Sequence, residues 1–170
     1  SSYRYFFKYR DNLKKFNVLN SSNMFFLLFI FGFSGFFVFL LAEWISITFF
    51  NEQLSKRLIQ LSFVSGCLEY IFIYLTNLLT AREKAVPYAV MTISRALLAV
   101  LFSFYFIFEH SLTYIARING IVISQCIIVF FLAIYSRNMF AFSFSLGSLK
   151  KSLKLSYPLI PHQAIGIIHN

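Results

Sequence analysis

The chain has 170 residues, of which 59% are hydrophobic and 12% are charged, and its formal net charge is +9. Because a soluble domain usually carries about 25% charged residues, this composition excludes a soluble globular protein and indicates an integral membrane protein. The basic residues cluster between apolar runs, and no soluble module is predicted that would present them to nucleic acid. We therefore interpret them as anchors at a membrane surface, with membrane lipids as partners.

The N-terminal part of the chain predicts a surface segment followed by a membrane span. Residues 1–22 are rich in basic and aromatic side chains, which is typical of a cytoplasmic juxtamembrane segment on an anionic leaflet. Residues 24–42 contain no charge and predict the first transmembrane helix. The stretch 43–57 contains Trp44 and charged residues, so we expect an external loop with an interfacial tryptophan.

Two long apolar segments, 58–80 and 85–108, flank a short charged turn and predict a transmembrane hairpin. Each segment contains one charge where hydrocarbon is expected, Glu69 in the first and Arg95 in the second. At about 1.5 Å per residue, Glu69 lies roughly 16 Å and Arg95 roughly 13 Å from the turn. In an antiparallel hairpin, the two charges would therefore lie at similar depth near the midplane.

Other polar and small side chains share a helical face with each charge. On the first segment they are Ser62, Ser65, Gly66 and Thr76, and on the second they are Tyr88, Thr92, Ala99 and Ser103. Ionisable groups at the midplane are costly and usually face a bundle interior or a water-filled cavity. The two facing stripes therefore predict a transport pathway.

Arg95 and Glu69 each allow two interpretations. Arg95 would attract an anionic substrate, since guanidinium matches phosphate oxygens in bidentate fashion, or it would neutralise Glu69 in a structural pair. Glu69 would be that structural partner, or a proton-coupling carboxylate. The sequence leaves these alternatives open.

The remaining segments complete a predicted all-α polytopic bundle in which residues 23–135 hold four transmembrane helices. The fourth span is 118–135, which is uncharged and has polar points at Asn119, Gly120, Ser124 and Gln125. Residues 136–156 form a predicted basic cytoplasmic loop, and 157–170 begin a fifth apolar segment. The chain opens without Met and stops within this segment, so we expect an internal piece of a longer polytopic protein.

The basic residues predict the orientation. With 1–22, 80–84 and 136–156 on the inside, eleven of the 15 Lys and Arg residues are inside, three are outside, and Arg95 is within the membrane. This asymmetry follows the positive-inside rule and predicts a cytoplasmic N-terminus for this piece.

Neither a catalytic nor a metal site is predicted. Cys67 and Cys126 lie within apolar segments, where we expect buried free thiols. His162 and His169 share a helix face, but two ligands are too few for a metal site, so we expect pore-facing side chains or headgroup contacts. With no nucleophile triad, phosphate-binding loop or acyltransferase motif in the sequence, we expect no enzyme and no cofactor.

Three stretches carry a resemblance to a known family. Tyr9–Lys15 looks like a cytoplasmic segment between the family's second and third helices, and Leu78–Arg82 followed by Tyr88 and Arg95 looks like its fourth-helix end, turn and fifth helix. Leu149–His162 looks like the loop that enters its seventh helix. The chain thus resembles helices three to six and the start of helix seven of the polysaccharide (O-antigen or O-unit) flippases of the multidrug/oligosaccharidyl-lipid/polysaccharide exporter superfamily.

The resemblance implies a two-bundle, alternating-access transporter with a central cavity, of which this chain is a fragment. It also implies an undecaprenyl-diphosphate-linked O-unit as substrate, moved across the bacterial inner membrane for surface polysaccharide and lipopolysaccharide biosynthesis. Polysaccharide polymerase and chain-length machinery would be partners of such a protein. The residues that we expect to contact the substrate are Arg95, Glu69, Tyr88, Thr92 and His162.

Two further functions are alternatives. A cation-coupled drug or metabolite exporter of the same superfamily would have a net acidic cavity, whereas Arg95 favours an anionic cargo. An O-antigen polymerase or ligase would use large polar external loops with catalytic Arg or His residues, whereas the predicted external loops here are short.

Overall fold

The computed structural model describes residues 12–50, 56–110, 114–141 and 143–156. Within these ranges the chain is almost entirely helical and contains no strand. The five α-helices are α1 (Leu13–Phe50), α2 (Lys56–Ala81), α3 (Ala85–His110), α4 (Tyr114–Ser136) and α5 (Leu146–Ser156). A short 3-10 turn, Arg137–Met139, follows α4.

The four long helices confirm an all-α membrane protein. Each of α1 to α4 is long and apolar enough to cross a membrane. They extend beyond the predicted spans: α1 begins at Leu13 instead of residue 24 and continues past Trp44, and α4 begins at Tyr114 instead of residue 118. No proline interrupts α1, so its backbone hydrogen bonds continue into the polar segments at both ends.

The described residues belong to two compact units, and α1 contributes to both of them. One unit is Ile30–Arg137, and the other contains the described residues up to Phe29 and from Asn138 onward. We describe each unit by itself.

In the larger unit, α4 is the central helix. It packs extensively against α3 and against α2, whereas α2 and α3 have few direct contacts with each other. Buried leucines of α2 (Leu75, Leu78 and Leu79) and the buried Ile128 and Leu132 of α4 form much of the core. Because α2 and α3 lie on either side of α4, a side chain that connects them must be long.

The contact between α3 and α4 is a close approach of two backbones. A Cβ atom added at Gly120 would lie 2.5 Å from the backbone nitrogen of Ser103 and 2.7 Å from the carbonyl carbon of Phe102. Small residues permit such crossings between membrane helices, where packing replaces the hydrophobic driving force. Gly120 therefore sets how closely α4 can pack against α3.

The turn between α2 and α3 is a C-terminal helix cap with a non-glycine residue in the left-handed region. Glu83 has φ 59°, and the Lys84 N–H donates to the Leu79 carbonyl at 3.0 Å, while the Glu83 N–H donates to the Thr80 carbonyl at 3.0 Å. Glycine usually occupies this position because it has no Cβ to collide with the following carbonyl.

Glu83→Gly should therefore stabilise the hairpin. The left-handed conformation costs an L-residue about 1–2 kcal/mol, part of which glycine recovers, and part of which is offset by its greater freedom in the unfolded chain. We expect a higher thermal unfolding midpoint of the purified protein in detergent. Glu83→Ala is the matched control, because it removes the same carboxylate but keeps the Cβ, and it should give no gain. An equal gain in both variants would attribute the effect to the charge and contradict the backbone explanation.

In the smaller unit, serine and asparagine side chains of α1 hold the chain that follows α4. The Ser21 hydroxyl accepts from the Ala141 N–H and the Ser22 hydroxyl accepts from the Ser145 N–H, both at 2.9 Å. The Asn20 amide donates to the Met139 carbonyl at 3.4 Å. Each serine hydroxyl also donates to a carbonyl of its own helix. These bonds satisfy backbone groups of an irregular segment, which would otherwise be costly to bury.

A helix lies in the segment predicted as a basic loop, 136–156, and this corrects the local structure expected there. Ser145 precedes α5, and its hydroxyl accepts from the Ser148 N–H at 3.3 Å, as an N-cap residue does. Leu146, Leu149 and Leu153 repeat at helical spacing, and Leu149 is buried. The cap and the leucine spacing favour a helix despite the three lysines. The predicted fifth apolar segment, 157–170, lies outside the described residues.

Candidate functional site: a polar cluster of α2, α3 and α4

The two charges in the membrane spans form an ion pair. Nη1 of Arg95, on α3, donates a hydrogen bond to Oε2 of Glu69, on α2. The prediction that these two charges meet is therefore confirmed, whereas their depth in the membrane stays a prediction. Because α2 and α3 have few direct contacts, the pair is a bridge between two helices that are otherwise connected mainly through α4.

The third helix contributes an amide to the same cluster. Nε2 of Gln125, on α4, donates to Oε2 of Glu69 at 3.0 Å, and the Ser65 hydroxyl donates to Oε1 of Gln125 at 3.0 Å. Gln125 is buried, and both ends of its amide are used. A buried amide that is hydrogen-bonded at both its nitrogen and its oxygen fixes the position of its neighbours. Gln125 therefore orients the Glu69 carboxylate from the central helix.

An aromatic ring supports the arginine. The Arg95 guanidinium carbon lies 4.4 Å from the centroid of the Phe72 ring, which belongs to α2 and is buried. A cation over an aromatic face gains about 0.5–2 kcal/mol, with the larger values at desolvated sites. Arg95 is thus held on α2 by two contacts, one with Glu69 and one with Phe72.

The pair is not sealed inside the unit. The Arg95 side chain is 28% exposed and the Glu69 side chain is 37% exposed. Within the described ranges, Glu69 is the one hydrogen-bond acceptor of Arg95, which leaves several of the five guanidinium N–H groups available. The site therefore combines a fixed cation with unused donors on an accessible side.

The other predicted residues that the structure describes do not take part in the hydrogen bonds of this cluster. The Thr92 hydroxyl donates to the Tyr88 carbonyl within α3 at 2.8 Å, and the Thr76 hydroxyl donates to the Phe72 carbonyl within α2 at 2.9 Å. Tyr88 has an exposed side chain, two helical turns from Arg95 on the same face of α3. His162 lies outside the described residues.

Three grooves along the helices are lined by other residues. One, of about 350 Å³, lies between α1 and α2 beside Gly35 and Phe63. Two more, of about 430 and 540 Å³, lie between α3 and α4. All three are mainly apolar, and Glu69 and Arg95 line none of them. The predicted water-filled chamber around the pair stays a prediction.

The two cysteines differ in their exposure. Both are free, as expected, but Cys67 is half-buried whereas Cys126 is exposed. The expectation of a buried thiol is wrong for Cys126, because α4 directs the neighbouring Gln125 inward and the next residue then lies about 100° around the helix.

Helix α4 therefore organises the site, and sequence patterns did not single out its contribution. Gln125 is one of four polar or small residues on the fourth span, and polarity alone does not distinguish it from Asn119 or Ser124. The one available signal was spacing, since an amide near the middle of an apolar span lies at the depth of Glu69 and Arg95.

The four long helices and the polar cluster define a multi-pass helical membrane protein. No protein family, curated protein or solved structure matches the chain in sequence or structure comparisons.

Proposed function

We propose that this protein is a flippase that moves undecaprenyl-diphosphate-linked oligosaccharide, the O-unit of surface polysaccharide and lipopolysaccharide, across the bacterial inner membrane. The observation that carries the proposal is the guanidinium of Arg95, which lies among apolar helices with unused N–H donors on an accessible side. In this proposal the N-terminus of the chain is cytoplasmic, as the positive-inside rule favours, and polymerase and chain-length machinery act after translocation.

The chemistry of the pair suits a diphosphate cargo. Guanidinium binds phosphate oxygens through two parallel hydrogen bonds, which is stronger and more directional than a single contact. Without cargo, Glu69 compensates the charge and lowers the cost of holding Arg95 in the membrane. When a diphosphate arrives, it competes with Glu69 for Arg95, while Gln125 still holds the carboxylate.

This competition supplies a step that alternating access requires. Binding of cargo weakens the Arg95–Glu69 bridge, which is one of the few connections between α2 and α3. The two helices then separate or slide without loss of the contacts that each makes with α4. Tyr88 and Thr92, on the arginine's face of α3, offer hydroxyl groups for the sugar.

One observation favours a second candidate, a cation-coupled exporter. Both hydrogen bonds that Glu69 accepts fall on Oε2, and the side chain is 37% exposed. The remaining oxygen, Oε1, has no hydrogen bond from the described part of the chain and would bind a proton or a small cation. In that case Glu69, and not Arg95, would determine transport.

The test neutralises both members of the pair while keeping their polarity. In cells that depend on this protein for surface polysaccharide, Arg95→Gln/Glu69→Gln should abolish export and leave lipid-linked oligosaccharide on the cytoplasmic leaflet. The amount of membrane-inserted protein should stay near normal, because no uncompensated charge remains. The measurements are surface polysaccharide, leaflet-specific labelling of the lipid-linked sugar, and immunoblotting of the protein.

The chain offers a matched control in its other described ion pair. Lys56 and Glu43 are joined at 3.2 Å, and their side chains are 51% and 69% exposed. Exposed pairs contribute little to stability, so Lys56→Gln/Glu43→Gln should change neither export nor protein amount. Normal export by the Arg95→Gln/Glu69→Gln variant would refute the cargo role of Arg95 and make the pair structural. Export that is retained in Arg95→Gln but lost in Glu69→Gln would support the cation-coupled candidate.

A further inference from the structure

The charged side chains on the described part of the smaller unit are all positive. Its described residues include five lysines, namely Lys14, Lys15, Lys150, Lys151 and Lys154, and no Asp or Glu. All five are exposed. The positive field of such a lysine cluster attracts anionic surfaces over about one Debye length, roughly 8–10 Å at physiological salt.

Helix α5 combines this charge with exposed apolar side chains. Leu146 is 72% exposed and Leu153 is 44% exposed, and Phe144, just before the helix, is 52% exposed. These values are high for large apolar residues next to lysines. They mark a surface that contacts something apolar.

The order of side chains around α5 indicates what that surface contacts. Leu149 and Ser152 are buried and define the side that packs on the unit. At 100° per residue, Leu146 and Leu153 lie about 20° apart beside that packed side. Lys150 and Lys154 then follow within about 80° of Leu146, and Lys151 lies beyond them.

Around the axis of α5, the side that packs on the protein is therefore followed by a side with exposed leucines and then by a side with lysines. An interfacial helix has this arrangement, with leucines in the acyl boundary and lysines at the height of the phosphates. Lysine side chains reach outward from an apolar face to keep their ammonium groups among headgroups or water. A partner protein would need an acidic rim around an apolar ridge, whereas an anionic leaflet presents both layers in this order without further specification.

We propose that α5, with Phe144, is an amphipathic interfacial helix that docks on anionic phospholipid headgroups, with Lys150 and Lys154 on the phosphates and Leu146 and Leu153 in the acyl boundary. This docking does not depend on which cargo the protein moves. It fixes the segment after α4 to the membrane surface, and it makes the position of that segment sensitive to the lipid composition of the leaflet.

The experiment places an environment-sensitive fluorophore on the apolar face of α5 in the intact protein. In a background with Cys67→Ala and Cys126→Ala, Leu153→Cys is labelled and reconstituted into nanodiscs of phosphatidylcholine with or without phosphatidylglycerol. The emission should shift to the blue, and iodide should quench it less, when phosphatidylglycerol is present. A fluorophore on Gly147→Cys, about 100° from Leu146 on the lysine side, should remain accessible to iodide in both discs.

Neutralisation of the lysines tests the electrostatic part. Each lysine near an anionic surface contributes about 1 kcal/mol, or about 5-fold, so Lys150→Gln/Lys154→Gln should lower the docked-to-undocked ratio by about 25-fold. High salt should also lower the docked-to-undocked ratio, because it screens the lysine charges. The matched control Lys56→Gln/Arg57→Gln removes two exposed positive charges from the larger unit and should leave the lipid response unchanged.

Two results would overturn the inference. If the Leu153 fluorophore stays accessible to iodide in both discs, α5 does not dock on lipid. If it is shielded equally with and without phosphatidylglycerol and does not respond to Lys150→Gln/Lys154→Gln, the apolar face is covered by protein, and cross-linking between copies would identify a second copy as the occupant.

Discussion

Glu69→Arg should leave little folded protein in the membrane. The substitution places a second guanidinium opposite Arg95, where the structure has a carboxylate, and the Gln125 amide nitrogen, which donates to Glu69, would then face another donor. Removal of one partner from a fully buried ion pair costs about 3–5 kcal/mol. The cost is smaller for this partly exposed pair, but a like charge adds repulsion to it. The expected result is loss of the monodisperse peak after detergent extraction, together with a sharp fall in membrane-inserted protein.

A variant in which the two residues are exchanged tests whether stability needs only the ion pair, and whether export needs the cation at position 95. In Glu69→Arg/Arg95→Glu, the opposite charges meet again, and the Gln125 amide can rotate so that its oxygen accepts from the new arginine. The Ser65 hydroxyl, which now donates to that amide, can accept instead. We expect the exchange to restore most of the folded protein but not export, because the cation has moved from α3 to α2 and away from the hydroxyl groups of Tyr88 and Thr92 on α3. If the exchanged variant is as unstable as Glu69→Arg alone, the pair does not determine stability.

The sequence was sufficient to predict that α2 and α3 bring opposite charges to one depth, because helix rise converts residue number into height above a shared turn. It was not sufficient to predict Gln125 or Phe72. Their roles depend on which side of α4 packs against α2 and on where the arginine side chain bends. Neither quantity follows from apolar periodicity, because a span that is apolar on all sides does not mark the face that it buries.

Helix α5, in the segment 136–156 that the sequence predicts as a loop, is a second element that the sequence did not reveal. The signals for α5 were present, namely Ser145 as an N-cap and leucines at Leu146, Leu149 and Leu153. Lysines between spans are also typical of a topology anchor, so charge alone does not distinguish a loop from a helix. Docking of α5 on the membrane, as we propose, would account for both interpretations, since an interfacial helix carries both the anchor charges and an apolar stripe.

The sequence also does not predict which glycine lies in close contact with the backbone of another helix. Of the glycines in the spans, Gly32 and Gly66 have open space around a built Cβ, and a Cβ at Gly35 meets the end of the Phe63 ring at 3.1 Å. Gly120 alone of these four would bring a Cβ against backbone atoms, those of Ser103 and Phe102. A ring can rotate away from a new methyl group, but a helix backbone moves only as a whole.

Gly120→Ala should therefore destabilise the protein more than any other glycine-to-alanine change in α1, α2 or α4. Contacts of 2.5–2.7 Å require α3 and α4 to separate, which weakens packing along the most extensive helix interface of the larger unit. Overpacking of a well-packed site costs about 1–3 kcal/mol. We expect a cost near the upper end of this range, because the atoms that the new methyl group meets belong to a helix backbone. The measurement is the thermal unfolding midpoint in detergent, with Gly32→Ala and Gly66→Ala as controls. These two should be neutral or slightly stabilising, since alanine favours a helix by about 0.5–1 kcal/mol over glycine. Gly35→Ala should fall between them and Gly120→Ala, because the Phe63 ring can yield. Equal midpoints for Gly120→Ala and Gly66→Ala would show that α3 and α4 do not cross at this glycine.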